Sequence, residues 1–154
     1  MEHALFFATL ALAAFLFAKV EVHIEGPNGW AAQLPTWRVQ NRLTEILYGG
    51  RPLTGYHLYV QLFVLVFVHL PYAIGTPLDW KFEALIWSWM ILFWIVEDFL
   101  WFVVNPSFGI RKFKAEFIWW HKKAWLWIAP REYFVMGLVA GALYAYGRGY
   151  LGRT

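Results

Sequence analysis

The chain has 154 residues, of which 60% are hydrophobic, 21% are aromatic and only 15% are charged. A soluble domain of this size cannot bury so much apolar surface, so the composition excludes that class and predicts a polytopic membrane protein. The absence of cysteine excludes disulfides, thiolate metal sites and thiol nucleophiles, and the formal net charge of +3 is interpreted as membrane topology rather than as a nucleic-acid surface.

Four apolar segments approach the roughly 20 residues that cross a bilayer. The first lacks a basic start and a small-residue cleavage site, so we interpret it as a transmembrane helix and not as a signal peptide. Thr54 is the predicted N-cap of the second segment, and Asn105-Pro106 ends the third. The predicted fold is an all-α, single-domain membrane protein over 1–154, with transmembrane helices at 3–22, 53–70, 80–104 and 131–147.

The two polar connections that follow the first and third segments carry amphipathic patterns. In 37–48 the apolar residues Leu43, Ile46 and Leu47 recur at helical spacing among polar residues, and Gly49-Gly50 ends the predicted helix. In 110–128 apolar residues recur at steps of three and four, with Lys and Arg on the other faces. Both segments are predicted to be helices in the membrane plane, where they either anchor the bundle or bind anionic lipid head groups.

The distribution of Lys and Arg predicts the orientation of the chain. An even number of spans returns both termini to one side, together with Lys81, Arg148 and Arg153. The other ten basic residues fall in 19–53 and 105–131, so the positive-inside rule makes that side cytoplasmic. The prediction is a bacterial inner membrane protein with Met1 and Thr154 on the non-cytoplasmic side.

Small and aromatic residues form stripes on the predicted helices. An alanine stripe on the first helix and a glycine stripe on the fourth allow close helix packing or a homo-oligomer; their members are Ala4, Ala8, Ala11, Ala14 and Ala18, and Gly137, Gly141 and Ala145. Four tryptophans seven residues apart lie along one face of the third helix: Trp80, Trp87, Trp94 and Trp101. We interpret this stripe as packing and membrane-belt residues, with cofactor stacking as the alternative.

Polar residues within or beside the spans are the candidates for function. Glu97 and Asp98 lie about 10 Å inside the predicted end of the third helix, where adjacent carboxylates are costly unless paired, protonated or metal-bound. The indole N–H groups of Trp94 and Trp101, one turn to either side, are possible donors to them. His57 shares a face with Gln61 near the cytoplasmic end of the second span, and among the strong polar candidates His69 alone lies towards the opposite membrane side.

Because these polar candidates lie together at the predicted cytoplasmic face, we assign them to a single functional site. The predicted catalytic residues are Glu97, Asp98, His57 and His121. The predicted substrate- or lipid-binding residues are Trp94, Trp101, Asn105, Arg38 and Arg42. The predicted metal ligands are His23, Glu25, His57 and His121, a donor set that suits Zn, Fe or Mn.

Three functions fit these patterns. The first is an enzyme, metal-dependent or not, that acts on a lipid or another hydrophobic small molecule entering from the bilayer. The second is a cofactor-binding or accessory subunit of a larger membrane complex, with haem, a quinone or a pigment as the ligand. The third is a structural protein whose carboxylates are neutralised by Lys19, Arg38 or Arg42. No HExxH, HxxxH pair or GxSxG motif is present, so the familiar enzyme classes that carry them are excluded.

Overall fold

The computed structural model describes residues 1–151, apart from the side chain of Leu47. Arg153 and Thr154, which enter the topology prediction, lie outside the described residues. The chain is mostly helical, with the helices α1 (Glu2–Glu25), α2 (Arg42–Leu47), α3 (Gly55–Val68), α4 (Leu70–Ala73), α5 (Trp80–Val104) and α6 (Arg131–Gly147). Two short antiparallel ribbons pair β1 (Arg38–Val39) with β2 (Leu53–Thr54), and β3 (Trp125–Leu126) with β4 (Ala129–Pro130).

Two of the described helices, α1 and α5, are long and apolar enough to cross a membrane. They have 24 and 25 residues, whereas α3 has 14 and α6 has 17. At 1.5 Å per residue, 14 residues reach only about 21 Å, which is short of the roughly 30 Å hydrocarbon core. The predicted bounds 80–104 and 131–147 match α5 and α6, but four transmembrane helices are not supported.

The predicted second span is shorter than expected because both of its ends adopt other structure. Leu53 and Thr54 pair with β1, and Thr54 then caps α3 by accepting a hydrogen bond from the His57 backbone N–H. At the other end His69 separates α3 from the single turn of α4. The helical part is therefore confined to Gly55–Val68.

Helix α5 lies at the centre and packs against α1 on one side and α6 on the other. Ala14 and Ala18 of α1 are fully buried, and the Ser88 hydroxyl of α5 donates a 2.8 Å hydrogen bond to the Ala140 carbonyl of α6. Small side chains let these backbones approach closely. The glycine stripe does not contribute, since a Cβ at Gly137 or Gly141 would meet no atom within 4 Å. The homo-oligomer stays a prediction.

The predicted in-plane helix at 110–128 is wrong. The segment contains two 3₁₀ turns, Ile110–Lys112 and Lys122–Ala124, followed by the ribbon of β3 and β4. Ile118 and Trp120 are both buried although they are two residues apart, and such residues do not share a face of an α-helix. The Trp120 ring stacks on Phe102 of α5, with centroids 5.7 Å apart, so tertiary packing prevails over the helical pattern.

The other predicted in-plane helix, 37–48, is reduced to the six residues of α2. Its first part is the strand β1, and Asn41 begins the helix with a capping box in which Thr44 and Asn41 exchange hydrogen bonds. The pairing of β1 with β2 takes Arg38 and Val39 out of the helix, because their backbones follow the register of Thr54 and Leu53.

An aromatic cluster closes the end of the bundle where α1 and α5 finish. Its buried members are Ala18, Trp30, Trp101, Phe102, Ile118 and Trp120. The side-chain amide of Asn105 donates a 2.9 Å hydrogen bond to the Gly26 carbonyl and so ties the ends of α5 and α1 together. Gly29, at φ +61°, lies directly against the Trp120 ring, where a Cβ would collide. The loops 26–41 and 105–130 are thereby held over the helix ends.

Candidate functional site

Four carboxyl groups converge beneath these loops, and we call them the carboxyl cluster: Glu21, Glu25, Glu97 and Asp98. The two on α1 are one turn apart on the face that packs against α5. Glu21, Glu25 and Glu97 are buried, with 7%, 7% and 3% of their surface exposed, while the Asp98 side chain retains 28%. Buried carboxylates need protons, hydrogen bonds or cations.

One half of the cluster is a pair of carboxyl groups capped by a phenol. The Tyr56 hydroxyl donates a 3.1 Å hydrogen bond to Glu21 Oε1, and Glu21 and Glu97 lie within hydrogen-bonding reach of each other. Two buried carboxyl groups that face each other in this way are costly to ionise together, because like charges repel and burial strengthens the repulsion.

His57 connects Glu25 to the loop that follows α1. Its Nε2 lies 3.5 Å from Glu25 Oε1, its Nδ1 lies 2.7 Å from the Thr54 hydroxyl oxygen, and its ring stacks on Trp30 with centroids 3.9 Å apart. Glu25 Oε1 also accepts a hydrogen bond of 2.5 Å from the Ala31 N–H. The Nδ1 atom and the ring face of this imidazole are therefore engaged, while Nε2 makes only a long contact with Glu25.

The loop that supplies these contacts is strained. Trp30 and Ala31 both adopt left-handed backbone conformations, at φ 48° and 49°, although neither is glycine. Each such residue costs on the order of 1 kcal/mol, and strain of this kind persists where the surroundings over-determine it, often at functional sites. Here the turn directs the Ala31 N–H to Glu25 and the Trp30 ring to His57.

The other half of the site pairs Asp98 with His121. His121 Nε2 lies 3.0 Å from Asp98 Oδ2, and the Tyr133 hydroxyl of α6 donates to the same oxygen. His121 is 2% exposed because it lies in the loop that covers the end of α5. General acid–base sites use a carboxylate to orient an imidazole in this way, and structural histidine–carboxyl pairs have the same geometry.

Arg51 lies between the two histidine–carboxyl pairs. Its guanidinium carbon is 4.1 Å from the centre of the Trp30 ring, its Nη1 is 3.3 Å from His121 Nε2, and its Nε donates to the Tyr48 carbonyl at 2.7 Å. Within residues 1–151 no carboxylate oxygen lies within 4.0 Å of it. Burial lowers the pKa of Arg51, and the negative charges of Asp98 and Glu132 oppose that shift. The guanidinium is positive because arginine is not deprotonated in proteins.

Three buried polar atoms at this end of the bundle have no hydrogen-bond partner within the described chain. They are Glu97 Oε1, Trp101 Nε1 and Glu132 Oε2. The predicted donation from the Trp101 indole to the carboxylates is therefore not made, although the two residues are one turn apart on α5. An unpaired acceptor and an unpaired donor at one place are costly, and they require a ligand, an ion or water as an explanation.

The structure brings together five of the predicted site residues: Glu25, His57, Glu97, Asp98 and His121. It leaves His23 and Arg42 exposed, and it uses Arg38 to cap backbone carbonyls, including that of Thr36 at 2.9 Å. Asn105 ties helix ends together, Trp101 belongs to the aromatic core, and Trp94 packs edge-on against Phe17 of α1.

The predicted metal set does not assemble within the described part of the chain. Among residues 1–151 no group of three or more His, Asp or Glu side chains is arranged to hold a metal ion. His23 is exposed, whereas Glu25, His57 and His121 are buried and already have protein partners. A metal or haem bound through His57 would have to displace Thr54 or Glu25. The metal and the haem both stay predictions.

Several site residues were missed from the sequence. From the sequence alone, Arg51 is interpreted only as a charge that indicates topology. Its position between Gly50 and Pro52, three residues before the buried Thr54, is compatible with a fixed arginine. Tyr56 and Tyr133 each lie in the first turn of a helix that begins at this end. Trp30 gave no signal, because its role depends on a left-handed backbone that tryptophan rarely adopts.

No protein-family model, curated protein or solved structure matches the chain. The function must therefore be argued from the site alone. The arrangement holds two imidazoles against carboxyl groups, places two further carboxyl groups beside each other, and places a cation between the histidines. Such a set can accept, hold and return protons out of contact with bulk water.

Proposed function

We propose that this protein is a small membrane-embedded enzyme that performs general acid–base chemistry on a lipid or another hydrophobic substrate. The observation that carries the proposal is the pair of buried histidine–carboxyl contacts, His57 with Glu25 and His121 with Asp98, on either side of Arg51. An ion-pair network that served stability alone would bind its arginine directly to a carboxylate, whereas in the described chain no carboxylate oxygen lies within 4.0 Å of Arg51 and the charges of Asp98 and Glu132 act on it only from a longer distance.

The residues divide into distinct roles in this proposal. His57 and His121 exchange protons with the substrate, and Glu25 and Asp98 orient their rings. In this proposal Glu21 and Glu97 hold one proton between them, and Glu97 donates it to the substrate. Arg51 stabilises negative charge that develops during the reaction, because it is positive, oriented by Trp30 and partly unpaired.

The membrane placement supports a hydrophobic substrate. Beyond the two helices long enough to cross a bilayer, large apolar side chains stay exposed along α3 and α6, such as Val66 at 65% and Leu138 at 78%. We propose a multi-pass protein of a bacterial inner membrane, with the site at the cytoplasmic face and both termini on the other side. The excess of Lys and Arg in 19–53 and 105–131 supports this orientation.

The test is a comparison of lipid extracts from cells that express the wild type or single variants. A matched control exists at the opposite end of the bundle, where His69 Nε2 lies 3.1 Å from Glu83 Oε1 in a second histidine–carboxyl pair. We expect at least one lipid species to change with the wild type and with His69→Asn, and not with His57→Asn. The proposal is wrong if His57→Asn folds to the same yield and alters the lipids as the wild type does.

A further inference from the structure

An apolar groove of about 300 Å³ runs along the bundle between α1, α3 and α5. Its walls are aliphatic and aromatic, and they include Leu16, Phe17, Phe63, Val64, Trp89 and Phe93. The groove exists because α3 makes far less contact with α5 than α1 does, so the three helices do not close on one another at this depth.

The groove leads towards the carboxyl cluster. Phe17 and Phe93 each lie four residues before a cluster member, Glu21 on α1 and Glu97 on α5. Residues four apart share a helix face, about 6 Å apart along the axis. On α3, Val64 lies two turns from His57 on the same side. A molecule lying in the groove therefore points its end at the site.

The chemistry at that end selects the head group. One helical turn beyond the groove lie Glu21, which accepts a hydrogen bond from the Tyr56 hydroxyl, and Glu97, so an anionic head group would meet two carboxyl groups there. Glu97 Oε1 is a buried acceptor without a donor, and Trp101 Nε1, one turn further on, is a buried donor without an acceptor, both within the described chain. A hydroxyl group supplies one donor and accepts in return, and it carries no charge.

We propose that the groove holds the single hydrocarbon chain of a neutral lipid alcohol, whose hydroxyl hydrogen-bonds to Glu97. This inference rests on the proposed function and names its substrate class. The hydrocarbon chain displaces no polar contact, because the groove walls are apolar. The hydroxyl donates to Glu97 Oε1, the acceptor that the described part of the protein leaves unpaired.

The test uses photolabelling in phospholipid nanodiscs. The probe is hexadecanol with a diazirine at mid-chain and a terminal alkyne, and the competitors are unlabelled hexadecanol and palmitate, which differ only in the head group. We expect adducts on groove residues, competition by hexadecanol and much weaker competition by palmitate. Val64→Trp fills the groove and should reduce labelling roughly tenfold or more, whereas Val66→Trp, on the lipid-facing side of the same helix, should leave it unchanged.

Each other result overturns the inference. Adducts spread over lipid-facing positions such as Leu12 and Leu138 would indicate ordinary bilayer contact. Equal competition by palmitate would show that the hydroxyl is not recognised. Equal labelling of the two tryptophan variants would show that the probe does not bind in the groove. These failures are distinct from failure of the proposed function, because the lipid change lost in His57→Asn does not depend on the probe. Specific labelling without any lipid change would leave a lipid-binding site that is not an enzyme.

Discussion

At the scale of single residues, Arg51 shows how the site is held. Its planar group lies against the Trp30 ring on one side and meets the His121 ring through Nη1, while Nε binds the Tyr48 carbonyl. A lysine reproduces the charge but not the planar stacking or the directed N–H groups. The arginine is thus a positioning element for both histidines as well as a charge.

Arg51→Lys is therefore expected to destabilise the protein by about 1 kcal/mol, since a buried cation–π contact and a directed hydrogen bond are each of that order. Arg42→Lys is the matched control, because Arg42 is exposed, and its effect should stay within about 0.5 kcal/mol. Thermal unfolding in detergent measures both. Equal midpoints for the two variants would show that the contacts of Arg51 contribute nothing.

At the scale of elements, the central position of α5 follows from small residues on its neighbours. Ala14 and Ala18 of α1 are fully buried, whereas Ala11, on the same helix, is exposed. Only two of the five alanines in the predicted stripe are therefore buried, and these two determine how closely α1 approaches α5.

Ala14→Leu is expected to cost about 1–3 kcal/mol, because the added side chain has no space between packed backbones. Ala11→Leu adds the same atoms at an exposed position and should leave stability unchanged. The comparison is made by thermal unfolding in one detergent. If Ala11→Leu destabilised the protein more than Ala14→Leu, the exposed alanines of the stripe would form a packing interface, as a homo-oligomer would require.

The elements also show what a sequence can predict here. The bounds of α5 and α6 were predictable because Asn105-Pro106 and Pro130 mark helix boundaries that no tertiary contact overrides. The helix at 110–128 was not, since the burial of both Ile118 and Trp120 depends on Phe102 and the end of α5. The convergence of His57, Glu97, Asp98 and His121 was predictable because the sequence places all four at the same end of the predicted helices. The positions of Arg51 and Trp30 depend on loop conformations that no sequence periodicity encodes.

At the scale of the whole molecule, the ends of α1 and α5 meet, as Asn105 and Gly26 show. The loop residues that follow them, including Arg42 and Lys112, therefore lie at one end, and the turn before α5 lies at the other. If α1 and α5 cross the membrane, these two sets face different compartments.

Single-cysteine variants test this directly, because the wild type has no cysteine. In intact spheroplasts an impermeant maleimide should label Thr76→Cys but not Arg42→Cys or Lys112→Cys, all of which are exposed positions. Inverted vesicles should give the reverse. Labelling of all three from one side would contradict a membrane-crossing α5, and a fully inverted pattern would place the site on the non-cytoplasmic face.

The most direct test of the central claim is turnover by the purified protein. Wild type and His57→Asn are reconstituted into vesicles made from the host's own lipid extract, and the lipids are followed over time by mass spectrometry. We predict that the wild type consumes at least one neutral lipid, and that His57→Asn slows this by about 10²-fold or more, which is the usual contribution of a general acid–base group. Equal turnover by the two proteins, or none by a folded wild type, would contradict the account.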